Sequence, residues 1–258
     1  METYQVVVDG DLKESIRYEN LSFPLEIFLD DYGRLADHTL NCHWHRDFEF
    51  NLVLCGAVDF YLEGVRIPLE EGECLFINSG ILHMAKQREN TEAAKVLAVT
   101  FQEELFTKGY AGSAFFKYFG QKTDGFKWDA GAGAGKAVAE GLRALAGLDK
   151  AEYGYELCCL SLLSEIWRRT AVYLERELPK GRPKSHNGGV KKILSYIHEH
   201  FHERVTVEDL IGAANVSRSE AFRCFKQYAG VSPMAYLNDY RLAKAADLLA
   251  GTEQNVTE

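Results

Sequence analysis

Residues Thr206–Leu237 read TVEDLIGAANVSRSEAFRCFKQYAGVSPMAYL and predict two short helices joined by a turn. An apolar stripe within Val207–Ala214 marks the first helix, and Asn215 tolerates the left-handed conformation that ends it. Ser217 is a favourable N-cap for the second helix, with Glu220 completing a capping box, and Gly230 ends the helix. The segment therefore predicts a helix-turn-helix, a motif that binds DNA.

The outward face of the second helix carries polar and basic side chains from its first turn onward. A helix that enters the major groove presents such a row near its N-terminus. Arg223 is the strongest candidate for a base contact, because a guanidinium can bind a guanine edge with two hydrogen bonds. An ordinary helical hairpin with solvated basic residues is the alternative. The candidate DNA-binding residues are Ser217, Arg218, Ser219, Phe222, Arg223 and Lys226.

The run VSRSEAFRCFKQYAGVSPMAYL resembles the first helix-turn-helix of the AraC family of bacterial transcription regulators. The resemblance implies that Ser219, Phe222 and Arg223 occupy base-reading positions, with the other three candidates nearer the phosphates. It also implies an AraC-type DNA-binding domain over 190–258. That domain has two helix-turn-helix units joined by a long helix, so we expect this chain to be truncated before the second unit.

The charge of the chain limits what it can bind. The net charge is −9, which argues against indiscriminate nucleic-acid binding. We therefore expect a small DNA-reading surface that needs a homodimer to bind two operator half-sites. No apolar window is long enough to span a bilayer and the N-terminus has no leader-like pattern, which predicts a cytoplasmic protein with no membrane partner.

The cysteines and the pair His198 and His202 are predicted to have structural rather than metal-binding or redox roles. The six cysteines contain no C-x-x-C pair and are expected to be reduced, buried thiols. His198 and His202 are spaced i, i+4, which predicts a solvated helix face rather than a metal site.

The rest of the chain predicts an α+β protein. Residues 1–130 alternate between apolar and polar side chains in short strand-like runs, with turns at Glu63-Gly64 and Glu71-Gly72 that predict hairpins. Residues 131–178 have helical periodicity and predict two helices, the second with a broad apolar face that includes Leu157. Residues 179–189 have the composition of an exposed linker before the all-α domain.

The stretch HWHRDFEFNLVLCG, from His43 to Gly56, is the second chemical signal. His43, His45, Glu49 and Asn51 are separated by even numbers of residues, so one extended strand would project them from one face. The other face is apolar and would need cover from the later helices or from a partner subunit. A row of ionisable groups inside a β domain predicts a polar cavity that binds a ligand or a metal.

These residues resemble the cupin superfamily. His43, His45, Glu49 and Gly56 match its first motif, and GECLFINSGILH, which ends at His83, matches much of its second, with departures at Asn78 and Gln87. The resemblance implies a cupin-like β-barrel or jelly-roll sensor over 1–130, with 131–178 as the helical dimerisation segment found in AraC-type regulators. It implies a divalent metal held by His43, His45, Glu49 and His83; direct binding of effector hydroxyl groups by the same side chains is the alternative.

Together these observations predict a one-component transcription regulator rather than an enzyme. A small polar effector, a sugar or similar metabolite, would bind at His43, His45, Glu49, Asn51 and His83 and shift the population of DNA-binding arrangements. Two other hypotheses are a cupin metalloenzyme of the dioxygenase or isomerase type and a ligand-binding protein that no longer binds DNA.

Overall fold

The computed structural model describes residues 6–8, 12–107, 123–128, 133–176, 188–214, 217–219, 221–222, 225 and 231–251. Its N-terminal half is built from β-strands and its C-terminal half from helices, so the α+β prediction is confirmed. Within the described residues, every helix is too short or too polar to cross a membrane.

Two antiparallel sheets face each other. The strands are β1 Leu25–Asp31, β2 Thr39–His43, β3 Phe48–Cys55, β4 Ala57–Leu62, β5 Val65–Glu70, β6 Cys74–Ile77, β7 His83–Gln87, β8 Lys95–Phe101 and β9 Gly125–Lys127. One sheet has the order β1-β8-β3-β6-β9 and the other the order β2-β7-β4-β5. Because neighbours in both sheets are mostly distant in sequence, long-range pairing rather than a simple meander forms the barrel.

Alternation along the strands sorts side chains between the inside and the outside of the barrel. Val53, Leu75 and Val96 of the first sheet meet Phe60 and Leu69 of the second, and all five are buried. We call this half of the interior the apolar end. Its close packing supplies the hydrophobic stabilisation on which a buried polar site elsewhere in the same barrel depends.

The outer face of the five-stranded sheet is covered by helices. After a short helix α1 (Glu104–Thr107), helices α2 (Gly133–Ala146) and α3 (Tyr155–Arg176) pack across it. Trp167 of α3 contacts the rings of Phe48 and Phe50, the apolar side of the histidine-containing segment. Helices of the same chain therefore cover the apolar face that was predicted to need either these helices or a partner subunit.

Two turns that look alike in sequence have different roles. Glu63 and Gly64 both have positive φ, 47° and 81°, and join β4 to β5 as a hairpin. Gly72 also has a positive φ, but β5 and β6 lie in different sheets. The predicted hairpin at Glu71-Gly72 is therefore wrong, and that turn carries the chain from one sheet to the other.

Gly56 of the first cupin-like motif is required by both conformation and space. Its φ is +73°, and a Cβ atom there would lie 2.8 Å from the Cα atom of Ala94. Any side chain would push the β3–β4 connection away from the chain that leads into β8.

The C-terminal helices form a second compact layer. Helices α4 (Gly188–His200), α5 (Val207–Ala214) and α6 (Pro233–Gly251) share one apolar cluster with Ala221 and Phe225. The first helix of the predicted helix-turn-helix is α5, and residues 218–219, 221–222 and 225 are helical as expected for the second. The predicted cap at Glu220 lies outside the described residues.

Three side chains differ from their predicted environments. His198 is buried, its Nε2 atom lies 3.0 Å from the Tyr236 hydroxyl, and burial lowers its pKa to about 3, so the prediction of a solvated face is wrong for it. Leu157 is 73% exposed although it lies on the predicted apolar face of α3. Cys158 is exposed and Cys55 is half-buried, whereas Cys42, Cys74 and Cys159 are buried thiols; Cys224 lies outside the described residues.

Candidate functional site

The histidine site is assembled from three separate pieces of chain. His43 ends β2, His45 lies in the connection to the opposite sheet, and Glu49 belongs to β3 in that sheet. The prediction that one strand carries all three is therefore wrong, although their convergence is correct. A register shift in β2 between Leu40 and His43 turns the side chain of His43 toward the interior of the barrel.

Long-range pairing brings in the third histidine. His83 begins β7 and is paired directly with His43 of β2. The centroids of these two rings are 4.2 Å apart, and the ring of His45 lies 5.0 Å from that of His83. One ligand atom from each histidine lies within 4.8 Å of the others, and all three side chains are buried.

Glu49 completes the predicted set. Its Oε2 atom lies 2.8 Å from the Nε2 atom of His45 and 3.5 Å from that of His83. Its other oxygen accepts a hydrogen bond of 2.6 Å from the Asn51 side-chain amide. All five predicted effector residues are therefore brought together. Asn51 contacts the carboxylate and so fixes its orientation.

Backbone carbonyl groups set the tautomer of each imidazole. The Nδ1 atoms of His43, His45 and His83 lie 2.7, 3.0 and 2.8 Å from carbonyl oxygens of the chain. Because a carbonyl oxygen only accepts, each Nδ1 must carry the hydrogen. The three Nε2 atoms are therefore the atoms turned toward the shared space, which is the arrangement that metal-binding histidines use.

Burial and neighbouring charges shift the pKa values of His43, His45 and Glu49 in different directions. Burial, together with His83 and His45, holds the pKa of His43 well below its usual range. Burial disfavours protonation of His45, but the hydrogen bond and charge of Glu49 outweigh it and raise the pKa of His45. Burial likewise opposes ionisation of Glu49, yet His45 and His83 hold the pKa of Glu49 well below its usual range. The site therefore contains a buried carboxylate stabilised by imidazoles.

Two further acidic residues were missed by sequence reasoning. The Oε2 atom of Glu14 lies 3.5 Å from the Nε2 atom of His43. Asp30 of β1 is buried, its Oδ1 atom has no hydrogen-bond partner, and burial with the charges of Glu49 and Glu14 raises its pKa to about 8. Alternation along LEIFLDD sets Asp30 on the face opposite Leu25, Ile27 and Leu29, so the local pattern does not indicate that it is buried, and no local pattern indicates Glu14.

We call this half of the interior the polar end. Glu14, Asp30, His43, His45 and Glu49 line one small cavity there, together with Thr100 and apolar side chains. The free volume of the cavity is about 20 Å³, enough for one or two water-sized groups. Among the described residues that line it, none is a lysine or arginine.

The donor set fits a divalent metal ion. Three imidazole nitrogens with fixed tautomers and one carboxylate are ligands that zinc, iron, nickel, copper and manganese accept. The histidines and Glu49 would hold the ion, which would supply a Lewis-acidic centre for a polar ligand. This set of residue types does not select one metal over another.

The candidate DNA-binding surface is exposed. Ser217, Arg218 and Ser219 are solvent-accessible, and Phe222 is half-buried. The Nη1 atom of Arg218 lies 3.2 Å from Glu208, and its guanidinium lies over the ring of Phe222. Arg223 and Lys226 lie outside the described residues. Ala221 and Phe225 are buried on the opposite face, so the described part of this helix has the two faces that the sequence predicted.

Residues 32–166, just over half of the chain, match the AraC-like ligand binding domain family. The chain belongs to the AraC family of transcription regulators. Residues 210–258 match a helix-turn-helix domain family, in agreement with the DNA-binding segment. Members of the AraC family combine a ligand-binding domain with a helix-turn-helix that binds DNA, so DNA and an effector are its two partner classes.

Two bacterial transcriptional regulators align with most of the chain. The chain is 28% identical over 260 residues to the uncharacterized HTH-type transcriptional regulator YdeC of Bacillus subtilis, covering 98% of this chain and 87% of that protein. It is 24% identical over 229 residues to the HTH-type transcriptional activator RhaS of Salmonella paratyphi B, covering 87% and 79%. An apo form of a ToxT variant from Vibrio cholerae aligns over 93% of this chain and 87% of that chain, with a TM-score of 0.43 and 12% identity.

These findings decide between the two main hypotheses. The family and the relatives are transcription regulators and not enzymes, so the metalloenzyme hypothesis is rejected. The prediction of a one-component regulator with a sensor and a DNA-binding unit is confirmed.

Proposed function

We propose that this AraC-family protein is a cytoplasmic regulator controlled at the polar end of its β-barrel, where His43, His45, Glu49 and His83 bind a divalent metal ion. The observation that carries the proposal is the convergence of three buried imidazoles, each with its Nδ1 hydrogen held by a backbone carbonyl, on one buried carboxylate. Burying four such groups is costly unless a ligand or a partner compensates for it.

The lining of the cavity restricts the organic effector that could accompany the metal. The carboxylates of Glu14 and Glu49 would repel an anionic metabolite. These two groups and the protonated carboxyl of Asp30 can accept hydrogen bonds from the hydroxyl groups of a sugar or similar neutral metabolite. The free volume is too small for a sugar without movement of the walls. We therefore place the metal at the centre of the site and a small polar effector beside it, bound after the N-terminal residues around Glu14 move.

Binding experiments with metals and metabolites test this function. Protein without a histidine tag is titrated with Co²⁺, which reports imidazole coordination by its visible absorption, and metal content after purification is measured by mass spectrometry. We expect about one equivalent of bound metal and a rise in thermal stability that a chelator reverses. The same thermal-shift assay, run with sugars and related neutral metabolites, identifies the effector.

A matched pair of variants assigns the binding to the proposed residues. His83→Ala should abolish the Co²⁺ absorption, while His202→Ala, at an exposed histidine of the helical domain, should leave it unchanged. Co²⁺ binding that is equally strong in both variants, or far less than one equivalent in the unmodified protein, would reject the metal centre.

We propose further that two copies of the chain bind two operator half-sites, with α2 and α3 forming the contact between copies. Leu157 and Val172 support this, because both are apolar and exposed on α3. Sedimentation analysis should give a dimer that Leu157→Arg dissociates. A monomer at all concentrations would contradict the proposal.

The DNA-reading role is tested at Arg223. Arg223→Ala should weaken binding to the specific operator by about 1–3 kcal/mol without loss of helical content, because it would remove a two-bond contact to a base. Arg17→Ala, at an exposed arginine of the sensor, serves as the control. Unchanged operator affinity of Arg223→Ala would reject its assigned role.

A further inference from the structure

Glu14 is attached to the chain segment that carries two of the histidines. Its backbone N–H donates a hydrogen bond of 2.8 Å to the carbonyl oxygen of Trp44, and the N–H of Trp44 donates one of 3.0 Å to that of Leu12. This short parallel pairing runs beside the segment between His43 and His45. The fold therefore fixes the backbone from which the side chain of Glu14 extends toward the imidazoles.

Glu14 and Glu49 approach different histidines. The Oε2 atom of Glu14 lies 3.5 Å from the Nε2 atom of His43. Oε2 of Glu49 lies 2.8 and 3.5 Å from the Nε2 atoms of His45 and His83. Both carboxylates are at most 5% exposed and line the same cavity. Two carboxylates and three imidazoles therefore direct ligand atoms toward the shared space.

The balance of charge favours two carboxylates around a divalent ion. An imidazole that binds a metal through Nε2 is neutral, so the three histidines add no charge. The carboxylates of Glu14 and Glu49 together compensate a divalent ion in full. Glu49 alone would leave one positive charge bound in a buried cavity, and an uncompensated buried charge is costly.

The size of the cavity leaves little room for water on the metal. Its free volume is about 20 Å³, whereas one water molecule needs roughly 10–15 Å³. An ion and one water-sized group therefore fill it. A six-coordinate ion with four protein ligands would need two further groups, whereas an ion with five protein ligands needs only one.

The contact between His45 and Glu49 also favours six-coordinate geometry. Two ligand atoms at about 2.0–2.1 Å from a metal are about 2.8–3.0 Å apart at right angles, but about 3.4 Å apart at tetrahedral angles. The 2.8 Å between Nε2 of His45 and Oε2 of Glu49 fits right angles. A tetrahedral ion would have to push this pair apart and would have no position for Glu14.

We propose that Glu14 is a fifth protein ligand of the metal centre, through its Oε2 atom, and that the centre takes six-coordinate Mn²⁺ or Fe²⁺ rather than tetrahedral Zn²⁺. The inference rests on the metal centre proposed above and adds a ligand and a class of metal. Carboxylates suit Mn²⁺ and imidazoles suit Fe²⁺, so a set with both types serves either ion. One coordination position stays available to the effector, and Oε1 of Glu14 can still accept a hydrogen bond from it.

Three variants of the full chain separate ligation by Glu14 from the effect of its charge. Glu14→Gln removes the charge, and Glu14→Asp keeps the charge but shortens the side chain by one methylene group. Glu19→Gln, at a 74% exposed acid of the same segment, is the matched control. We expect Mn²⁺ affinity, measured from the EPR signal of the free ion, to fall about 100-fold in Glu14→Gln and about tenfold in Glu14→Asp.

Glu19→Gln should bind Mn²⁺ as tightly as the unmodified chain. Equal Mn²⁺ affinity of Glu14→Asp and the unmodified chain overturns the proposal, because the charge of Glu14 would then account for its whole effect.

Zinc provides the second comparison. The three histidines and Glu49 already supply the four ligands that Zn²⁺ accepts, so Glu14→Gln should lower Zn²⁺ affinity by about tenfold or less. The affinity is measured by competition with a zinc-binding dye. An equal loss of affinity for Mn²⁺ and Zn²⁺ overturns the assignment of Glu14 as a ligand that six-coordinate metals use.

The absorption of Co²⁺ in the unmodified chain tests the geometry without any substitution. Six-coordinate Co²⁺ absorbs visible light weakly and tetrahedral Co²⁺ absorbs it intensely, because near-centrosymmetric coordination suppresses the transitions between d orbitals. We expect weak bands at full occupancy. Intense bands overturn the proposal.

The two proposals fail in different ways. Absence of bound metal from every form of the chain rejects the metal centre and the fifth ligand together. Metal binding that depends on His83 but is the same in Glu14→Asp and the unmodified chain rejects the fifth ligand alone. If Glu14→Gln does not fold, Glu14→Asp and the Co²⁺ spectrum of the unmodified chain still decide the question.

Discussion

The two ends of the barrel interior are formed by the same strands but have opposite physical roles. Strand β3 supplies Glu49 and Asn51 to the polar end and Val53, two residues further on, to the apolar end. The apolar end gains stability by removing hydrocarbon from water, whereas the polar end buries carboxylates and imidazoles that favour solvent. The difference indicates that one end stabilises the fold and the other is kept for binding.

Truncation of a core aromatic at the apolar end should have the largest effect on stability. Phe60→Ala removes a side chain that is 1% exposed, and we expect a loss of about 3–5 kcal/mol in the free energy of unfolding measured with urea. Leu21→Ala, at a position that is 84% exposed, should change it by less than about 0.5 kcal/mol. Co²⁺ affinity of the folded Phe60→Ala variant should be unchanged, and a large change in that affinity would contradict the separation of roles.

A change of charge at the polar end should act mainly on binding. Glu49→Gln keeps the shape of the side chain but removes the charge that pairs with His45 and His83. We expect about a 100-fold loss of Co²⁺ affinity, about 2.7 kcal/mol, measured by absorption titration. Glu152→Gln, at an exposed site, is the control; equal affinity of the two variants would show that Glu49 is not a ligand.

The pH dependence of the free energy of unfolding should reveal the energetic cost of burying Asp30 at the polar end. Folding raises the pKa of Asp30 from 3.8 to about 8, so the native state binds more protons than the unfolded chain between these values. Stability should therefore fall as pH rises through this window, by up to about 1.4 kcal/mol per pH unit for one proton.

Asp30→Asn should remove this part of the slope when unfolding is measured with a chelator between pH 5 and 8. Glu140→Gln, at an exposed position of α2, should keep the slope. An identical pH dependence for Asp30→Asn and the unmodified chain would mean that Asp30 is not the group responsible.

The smallest expected effect is at a residue that positions a ligand. Asn51→Ala removes the hydrogen bond to Oε1 of Glu49 and should weaken Co²⁺ binding about tenfold, with a shifted absorption spectrum that indicates altered coordination. Asn20→Ala on the surface should alter neither the affinity nor the spectrum. If the affinity fell without any spectral change, Asn51 would support the fold and not the orientation of Glu49.

Much of the architecture could be predicted from local patterns. Strand alternation assigned Glu49 and Asn51 to one face and Phe48 and Phe50 to the other, because successive side chains of a strand point to opposite sides. Helical periodicity identified the buried and exposed faces of residues 217–225 for the same kind of reason. Motif spacing then identified all three histidines of the site.

The remaining features depend on contacts between distant segments. Glu14 and Asp30 reach the site only because the N-terminal residues and β1 close one side of the barrel. His198 is buried because Tyr236 and Tyr240 of another helix pack against it. None of these contacts leaves a periodic signal in the local sequence.

The sequence by itself determined the chemical groups, their alternation on each element and the family to which the chain belongs. Only the tertiary structure decided that His43, His45 and Glu49 come from three pieces of chain, and that Cys42, Leu82 and Met84 face the DNA-binding helices. The physical reason is that side-chain direction within an element follows from backbone geometry. Which elements meet follows from the burial of all their faces at once.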